Sequence, residues 1–146
     1  MQKLFINTLL CVLTSPLLAA ERSPNIIYIM ADDLGYGDLS CFGQTKFKTP
    51  NIDRLAASGT LFTNAHCPAP ACNPSRTAIM TGIAPNESGL YDNRQKMREI
   101  LPTADLMPKH FSRNGYHSLG SGKILHYFID AASWDEYFPA KESENP

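Results

Sequence analysis

The sequence has few charged residues, and their signs nearly cancel. Of its 146 residues, 18% are Asp, Glu, Lys or Arg, and the formal net charge is -1. Such a balance argues against a nucleic-acid-binding protein and against one that binds membrane surfaces through basic residues. Internal repeats and low-complexity tracts are also missing from the sequence, which argues against a repeat protein or a disordered one. The length and composition are those of one globular domain with a core.

Long hydrophobic runs are equally scarce, and the one present lies at the start. Lys3 precedes a mostly apolar run over 4–18, and the small pair Ala19-Ala20 follows. Polar residues and a proline interrupt this run, so it is poorly suited to a stable membrane span. We therefore predict a secretory signal peptide over 1–20 and a secreted or periplasmic mature protein over 21–146. A retained membrane anchor is the alternative.

Cysteine is rare as well. Removal of the leader leaves Cys41, Cys67 and Cys72. An odd number of cysteines in an exported protein means that at least one is unpaired or chemically altered. A disulfide between Cys67 and Cys72 is sterically conceivable and would leave Cys41 alone.

What the sequence does contain is an alternation of apolar β-branched runs and capped helices. Strands are predicted over 25–30, 61–65 and 116–120, and helices over 49–59 and 106–114. Asp105 suits the cap of the second helix, which places Pro108 in its first turn, where the missing N–H is harmless. This alternation predicts an α/β fold with a mostly parallel sheet and helices on both faces. In such sheets ligands bind beyond the carboxyl ends of the strands.

The run Cys72-Asn73-Pro74-Ser75-Arg76 predicts another short helix, with a thiol at its start. Asn73 suits the cap, Pro74 suits the first position and Gly82 suits the end. An anion at this helix start would meet free backbone N–H groups, a favourable dipole and the guanidinium of Arg76.

Two further motifs follow predicted strands, at the edge of the sheet where the strands have their carboxyl ends. Asp32 and Asp33 come directly after the first strand, and Lys123 follows the third strand. Adjacent carboxylates are half of a site for a hard cation such as calcium or magnesium, although Asp also simply favours turns. The sequence therefore predicts that acids, thiol and lysine meet at one edge of the sheet.

The run 72–76 followed by Thr81-Gly82 resembles the signature of type I sulfatases. Asp32-Asp33 resembles the amino-terminal motif of that family, and Gly122-Lys123 resembles its second signature region. His126 lies three residues after the lysine, which is similar to the spacing in iduronate-2-sulfatase-like members.

This resemblance implies the alkaline-phosphatase-like sulfatase fold and a calcium ion bound by Asp32, Asp33 and modified Cys72. In that family the cysteine is oxidised before folding to formylglycine, whose hydrate is the nucleophile. The modification implies a formylglycine-generating or anaerobic sulfatase-maturing enzyme as a partner. The implied substrate is a sulfate ester, chiefly of sulfated carbohydrates.

The resemblance also implies roles for three basic residues. Arg76 and Lys123 would hold the aldehyde hydrate and neutralise sulfate charge, and His126 would take a proton as sulfate leaves. Taken alone, a single Lys is usually a solvated surface charge and a single His is usually structural.

Two other functions stay open at this point. One is a related metal-dependent phosphoryl or phosphonate hydrolase. The other is a truncated module without activity, because sulfatases run to several hundred residues. We therefore expect this chain to be the amino-terminal portion of a sulfatase catalytic domain, incomplete and inactive when alone.

Overall fold

The computed structural model describes residues 23–126 and 128–139. The predicted signal peptide over 1–20 lies outside the described residues. Within those two ranges, no helix has both the length and the apolar character needed to cross a membrane.

Short elements joined by ordered loops make up these ranges. The α-helices are α1 (Pro50–Ser58), α2 (Cys72–Thr81), α3 (Pro85–Ser88), α4 (Met97–Ile100) and α5 (Met107–Arg113). The strands are β1 (Leu119–Ser121) and β2 (Glu136–Phe138), and single 3₁₀ turns cover Tyr36–Asp38, Ser40–Phe42 and Ala131–Ser133.

Strands β1 and β2 pair in parallel, with Gly120 opposite Tyr137. A Cβ atom at position 120 would lie 2.5 Å from the Tyr137 ring and 2.8 Å from the Trp134 ring, so this close approach requires glycine. The parallel pair and the surrounding helices confirm the predicted α/β class. The sequence did not predict β2, because its apolar pattern fades after Ile124.

The two other predicted strands are not formed within the described part of the chain. Residues 25–30 and 61–65 lie in no sheet, and Ile27 and Phe62 are 86% and 72% exposed. Their composition is that of buried strands, but a strand is stabilised by a hydrogen-bonded neighbour that neither run has among the described residues. The prediction of a sheet through these runs is therefore wrong for this chain.

Helix boundaries follow the sequence closely at the carboxyl ends and less closely at the amino ends. Gly82 ends α2 with a φ of +73°, as predicted, and α1 matches its predicted span. The predicted cap at Asn73 is wrong, since Ala71 is the cap residue and α2 begins two residues earlier than predicted. Pro74 is therefore the third residue of α2 and not its first.

The predicted cap at Asp105 is wrong for a similar reason. Leu106 is the cap residue of α5, and the Asp105 carboxylate instead pairs with Arg113 at the far end of that helix. Pro108 lies in the first turn of α5, where the missing N–H is harmless, as predicted.

The core lies between α2, α4 and the chain around β1. Five side chains that are at most 2% exposed form it: Met80, Leu90, Met97, Leu106 and Leu125. Met30 and Trp134 pack against this cluster. One face of α2 therefore lies on the core, which fixes the position of its first turn.

Candidate metal and anion site

Asp32, Asp33 and Cys72 meet at the start of α2. One potential ligand atom from each residue lies within 4.8 Å of the other two. The acids come from the loop after residues 25–30, where Asp33 has a φ of +51°. The predicted meeting of the acidic pair and the thiol is thus observed, even though the run before the acids forms no strand.

The Asp32 carboxylate lies between two cations. Its Oδ1 accepts a hydrogen bond from Arg76 Nη2 at 2.6 Å, and its Oδ2 accepts one from Lys123 Nζ at 2.7 Å. The hydrogen bonds from Lys123 and Arg76 hold the pKa of Asp32 below its usual value. Asp32 is therefore ionised at neutral pH and joins Arg76 and Lys123 in one cluster, as the sequence predicts.

Arg76 is buried, with 4% of its surface exposed. Its Nη1 donates to the carbonyl oxygen of Lys123 and, at 3.2 Å, to that of Ile124, and it lies 3.0 Å from the sulfur of Met30. The guanidinium therefore fixes the chain around Lys123 against α2. Its charge acts at the site from a fixed, largely desolvated position, where electrostatic effects are stronger than in water.

His126 is buried beside the same charges, at 9% exposure. Burial lowers the pKa of its imidazole, and the positive charges of Lys123 and Arg76 lower it further. Neutral imidazole is therefore the dominant form at neutral pH, and it is able to accept a proton.

The start of α2 offers fewer free N–H groups than the sequence suggests. The backbone N–H of Asn73 donates to Oδ1 of Asn93 at 2.9 Å, and Pro74 has none. The helix end therefore contributes its dipole to the site, while an anion receives less direct hydrogen bonding there than predicted.

The residues that hold this helix start leave no signal in the sequence. The Asn73 side chain donates to the carbonyl oxygens of Asp92 and Gln95 at 3.1 and 2.7 Å. These partners lie about twenty residues away in a polar connection, and no local pattern distinguishes Asn93 from other loop residues.

All three described cysteines are free thiols. Cys67 is exposed and Cys72 is half-buried, so the alternative disulfide between them is not formed. Cys72 therefore remains available for modification.

The donor set fits calcium in part. Carboxylates suit this hard cation, which takes oxygen ligands, whereas the soft sulfur of Cys72 does not suit it. Position 72 therefore fits a calcium site only when an oxygen replaces its sulfur.

Comparison with known proteins identifies the family. The family model described as Sulfatase matches residues 24–142. A protein named Sulfatase from Formosa agariphila is 44% identical over 119 residues, covering 77% of this chain and 24% of that protein. Iduronate 2-sulfatase from Mus musculus is 36% identical over 119 residues, covering 82% of this chain and 21% of that protein.

A solved structure of a protein in complex with its substrate, D-glucosamine-2-N,6-O-disulfate, has a TM-score of 0.68 to this chain. It is 30% identical, and the match covers 78% of this chain and 22% of that one. The chain belongs to the sulfatase family, which confirms the resemblance seen in its motifs. It spans about a quarter of the length of these relatives.

Proposed function

We propose that this chain is the part of a sulfatase catalytic domain that contains the nucleophile, and that the sulfatase hydrolyses sulfate esters of sugars. The observation that supports this most directly is the cluster of Asp32, Asp33 and Cys72, with Arg76 and Lys123 on the first acid. The names of the relatives favour a carbohydrate substrate, since they include human N-acetylgalactosamine-6-sulfatase and mouse iduronate 2-sulfatase.

Asp32 and Asp33 would hold one calcium ion together with an oxygen at position 72. When bound, such an ion supplies positive charge beside the sulfate group. Hydrogen bonds from Arg76 and Lys123 keep the Asp32 carboxylate ionised and oriented, because each occupies one of its two oxygens and leaves further lone pairs available.

The oxygen at position 72 would come from conversion of Cys72 to formylglycine by a separate maturing enzyme. Once formed, the hydrated aldehyde would supply one hydroxyl to attack sulfur while the sugar oxygen leaves as an alcohol. Loss of the proton of its second hydroxyl would then expel sulfate and return the aldehyde. Half-burial at the first turn of α2 holds this group at a fixed place beside the two acids.

The remaining side chains of the site act on charge and protons. Arg76 and Lys123 supply preorganised positive charge for the sulfate oxygens. His126, whose lowered pKa favours its neutral form, accepts the proton of the second hydroxyl as sulfate leaves. Export to the periplasm or beyond the cell, as the leader predicts, would give the enzyme access to polymeric sulfated sugars.

Mass spectrometry of the peptide containing Cys72 tests the modification. The protein should be produced from its complete reading frame, together with a maturing enzyme. An aldehyde at position 72 and release of sulfate from a sulfated monosaccharide are expected. An intact thiol accompanied by hydrolysis of a phosphate ester would instead favour a phosphoryl hydrolase.

Substitution of the nucleophile gives the second test. Cys72→Ala should abolish sulfate release, because alanine cannot form the aldehyde. Cys67→Ala is the matched control, since that exposed thiol lies outside the cluster and its loss should leave turnover unchanged. Appreciable sulfate release by Cys72→Ala would exclude the assigned nucleophile.

A further inference from the structure

A second loop holds the first turn of α2, and the proposed chemistry does not use it. Asn73, the second residue of α2, is 1% exposed, and its backbone N–H donates to Oδ1 of Asn93 at 2.9 Å. A backbone N–H only donates, so the Asn93 atom that faces it is the amide oxygen. This N–H belongs to the peptide group that joins Asn73 to Cys72, and Asn93 is therefore bonded directly to the backbone of the reacting position.

The Asn73 side chain also contacts the loop that carries Asn93. Its Nδ2 donates to the carbonyl oxygen of Asp92 at 3.1 Å and to that of Gln95 at 2.7 Å. Since carbonyl oxygens only accept, both hydrogens of this amide face the loop that carries Asn93. Three hydrogen bonds thus join residues 92–95 to the residue after Cys72.

The loop is rigid enough to impose a position on the helix. Gln95 Oε1 accepts hydrogen bonds from the backbone N–H groups of Tyr91 and Asp92 at 2.6 and 2.7 Å, and Gln95 Nε2 donates to the carbonyl oxygen of Gly89 at 3.1 Å. Leu90 and Met97, on either side, are fully buried in the core. Anchors at both ends and internal hydrogen bonds make the loop a fixed support.

The helix start needs such a support. Ala71 is its cap residue and has no side-chain oxygen to offer, and Pro74 has no N–H. The Asn93 oxygen, which comes from a loop distant in sequence, therefore replaces a capping side chain. It accepts a hydrogen bond from the N–H of the second helical residue.

We propose that Asn93 is a positioning residue for the reacting group at position 72, acting through the Cys72–Asn73 peptide. This inference rests on the proposed function. Loss of the Asn93 oxygen lets the first turn of α2 move and misdirects the nucleophile, while the charged groups that bind sulfate stay in place.

The experiment compares Asn93→Ala with Asn93→Asp in protein produced from its complete reading frame. Asp keeps an oxygen of the same reach, so it should rescue the contact. Hydrogen exchange at the Asn73 amide should accelerate at least about tenfold in Asn93→Ala and remain near wild type in Asn93→Asp. For a sulfated monosaccharide, kcat should fall roughly 10- to 100-fold in Asn93→Ala, with KM within about twofold of wild type.

A suitable control is Asn114→Ala, because the side-chain amide of Asn114 also donates to a backbone carbonyl oxygen, that of His110 within α5, far along the chain from Cys72. Its kcat should not change. Faster exchange with an unchanged kcat in Asn93→Ala would mean that the bond is only structural and would overturn the proposal. Equal losses of kcat in the Ala and Asp variants would overturn it as well.

One further variant and one further measurement distinguish failure of this inference from failure to fold and from failure of the proposed function. If Asn93→Ala does not fold, Asn93→Ser replaces it, because serine is too short to reach the Asn73 amide. If the wild type releases no sulfate, the proposed function fails separately. The alkylation rate of unmodified Cys72 relative to exposed Cys67 then tests the positioning, and an unchanged ratio in Asn93→Ala would overturn it.

Discussion

Residues 23–66 and residues 71–139 use similar apolar side chains in different ways. In the first region every described residue is exposed or half-buried, and Ile27 and Ile29 are 86% and 81% exposed. In the second region Leu90, Met97 and Leu106 are fully buried. Apolar sequence alone does not bury a segment, because burial also needs neighbouring elements that cover it. Exposed apolar residues in such numbers are unusual for a monomeric surface.

The candidate site lies where these two regions meet. Asp32 and Asp33 belong to the first region, and Cys72, Arg76 and Lys123 belong to the second. The packed region thus provides the fixed charges and the reacting position, and the exposed region provides the carboxylates.

The sharpest test of the difference between the two regions is a pair of alanine substitutions, one in each region, in the 146-residue chain. Leu125→Ala should lower the free energy of unfolding by about 2–5 kcal/mol, because it leaves a cavity in the core. Ile27→Ala should change it by no more than about 0.5 kcal/mol, since that side chain is exposed. Urea unfolding of both variants measures the difference. Equal losses in the free energy of unfolding would contradict the difference in burial between the two regions.

The acidic pair gives the next largest effect. Asp33→Asn should weaken calcium binding roughly 10- to 100-fold, because it removes a charged ligand. Isothermal titration of the complete protein with calcium measures this. Asp38→Asn is the control, since the Asp38 side chain accepts the Gly35 N–H within a turn and lies outside the cluster of potential ligands. An unchanged affinity in Asp33→Asn would count against the metal role.

A smaller effect is expected at an ion pair inside the packed region. Arg98 Nη2 lies 2.5 Å from Oδ2 of Asp130, whose side chain is only 10% exposed. Asp130→Asn should cost about 1–3 kcal/mol, a range reduced because Arg98 is partly exposed to solvent. Thermal unfolding measures the loss, and Asp92→Asn, in an exposed pair with Arg94, should cause no measurable change.

The same pair predicts the acid dependence of stability. Burial alone would raise the pKa of Asp130, but hydrogen bonds from Arg98 and Ser133 overcome it and hold the pKa below 3.8. The stabilisation is therefore complete above pH 3.8 and is lost as the pH falls through the lowered pKa. Wild type and Asp130→Asn should converge in stability under acid conditions, and a constant difference would contradict the assignment.

The smallest effect belongs to His117, which is exposed just before β1. The hydrogen bond to Glu136 raises its pKa above 6.5, and the charge of Asp135 acts in the same direction. Its stabilising effect is therefore complete below pH 6.5 and is lost as the pH rises through the raised pKa. His117→Gln should lower Tm slightly below pH 6.5 and not in alkaline buffer. Glu136→Gln should reproduce this pattern if the pair is responsible.

Local signals explain which parts of the site were predictable. Asp32, Cys72 and Lys123 lie in short motifs whose neighbours specify turns and helix ends, and the structure brings these three residues together. Asn93 and the strand β2 were missed, because their partners lie far away in the sequence and leave no local pattern.

The wrong predictions have a related cause. Asn73 has the residue type of a helix cap, but its amide is used by a loop some twenty residues away. The runs over 25–30 and 61–65 have the composition of strands, and composition does not specify which neighbours are present. Tertiary partners decide both cases.

The double pairing of Asp32 has one consequence for the solution conditions. The Asp32 side chain is 43% exposed and that of Lys123 24%, so dissolved ions reach this contact more readily than the one with buried Arg76. The screening length falls from about 10 Å at 0.1 M ionic strength to about 3 Å at 1 M, close to the 2.7 Å between Asp32 and Lys123. Molar salt should therefore weaken the Asp32–Lys123 contact, while the Asp32–Arg76 contact and the buried cluster around Leu125 change little.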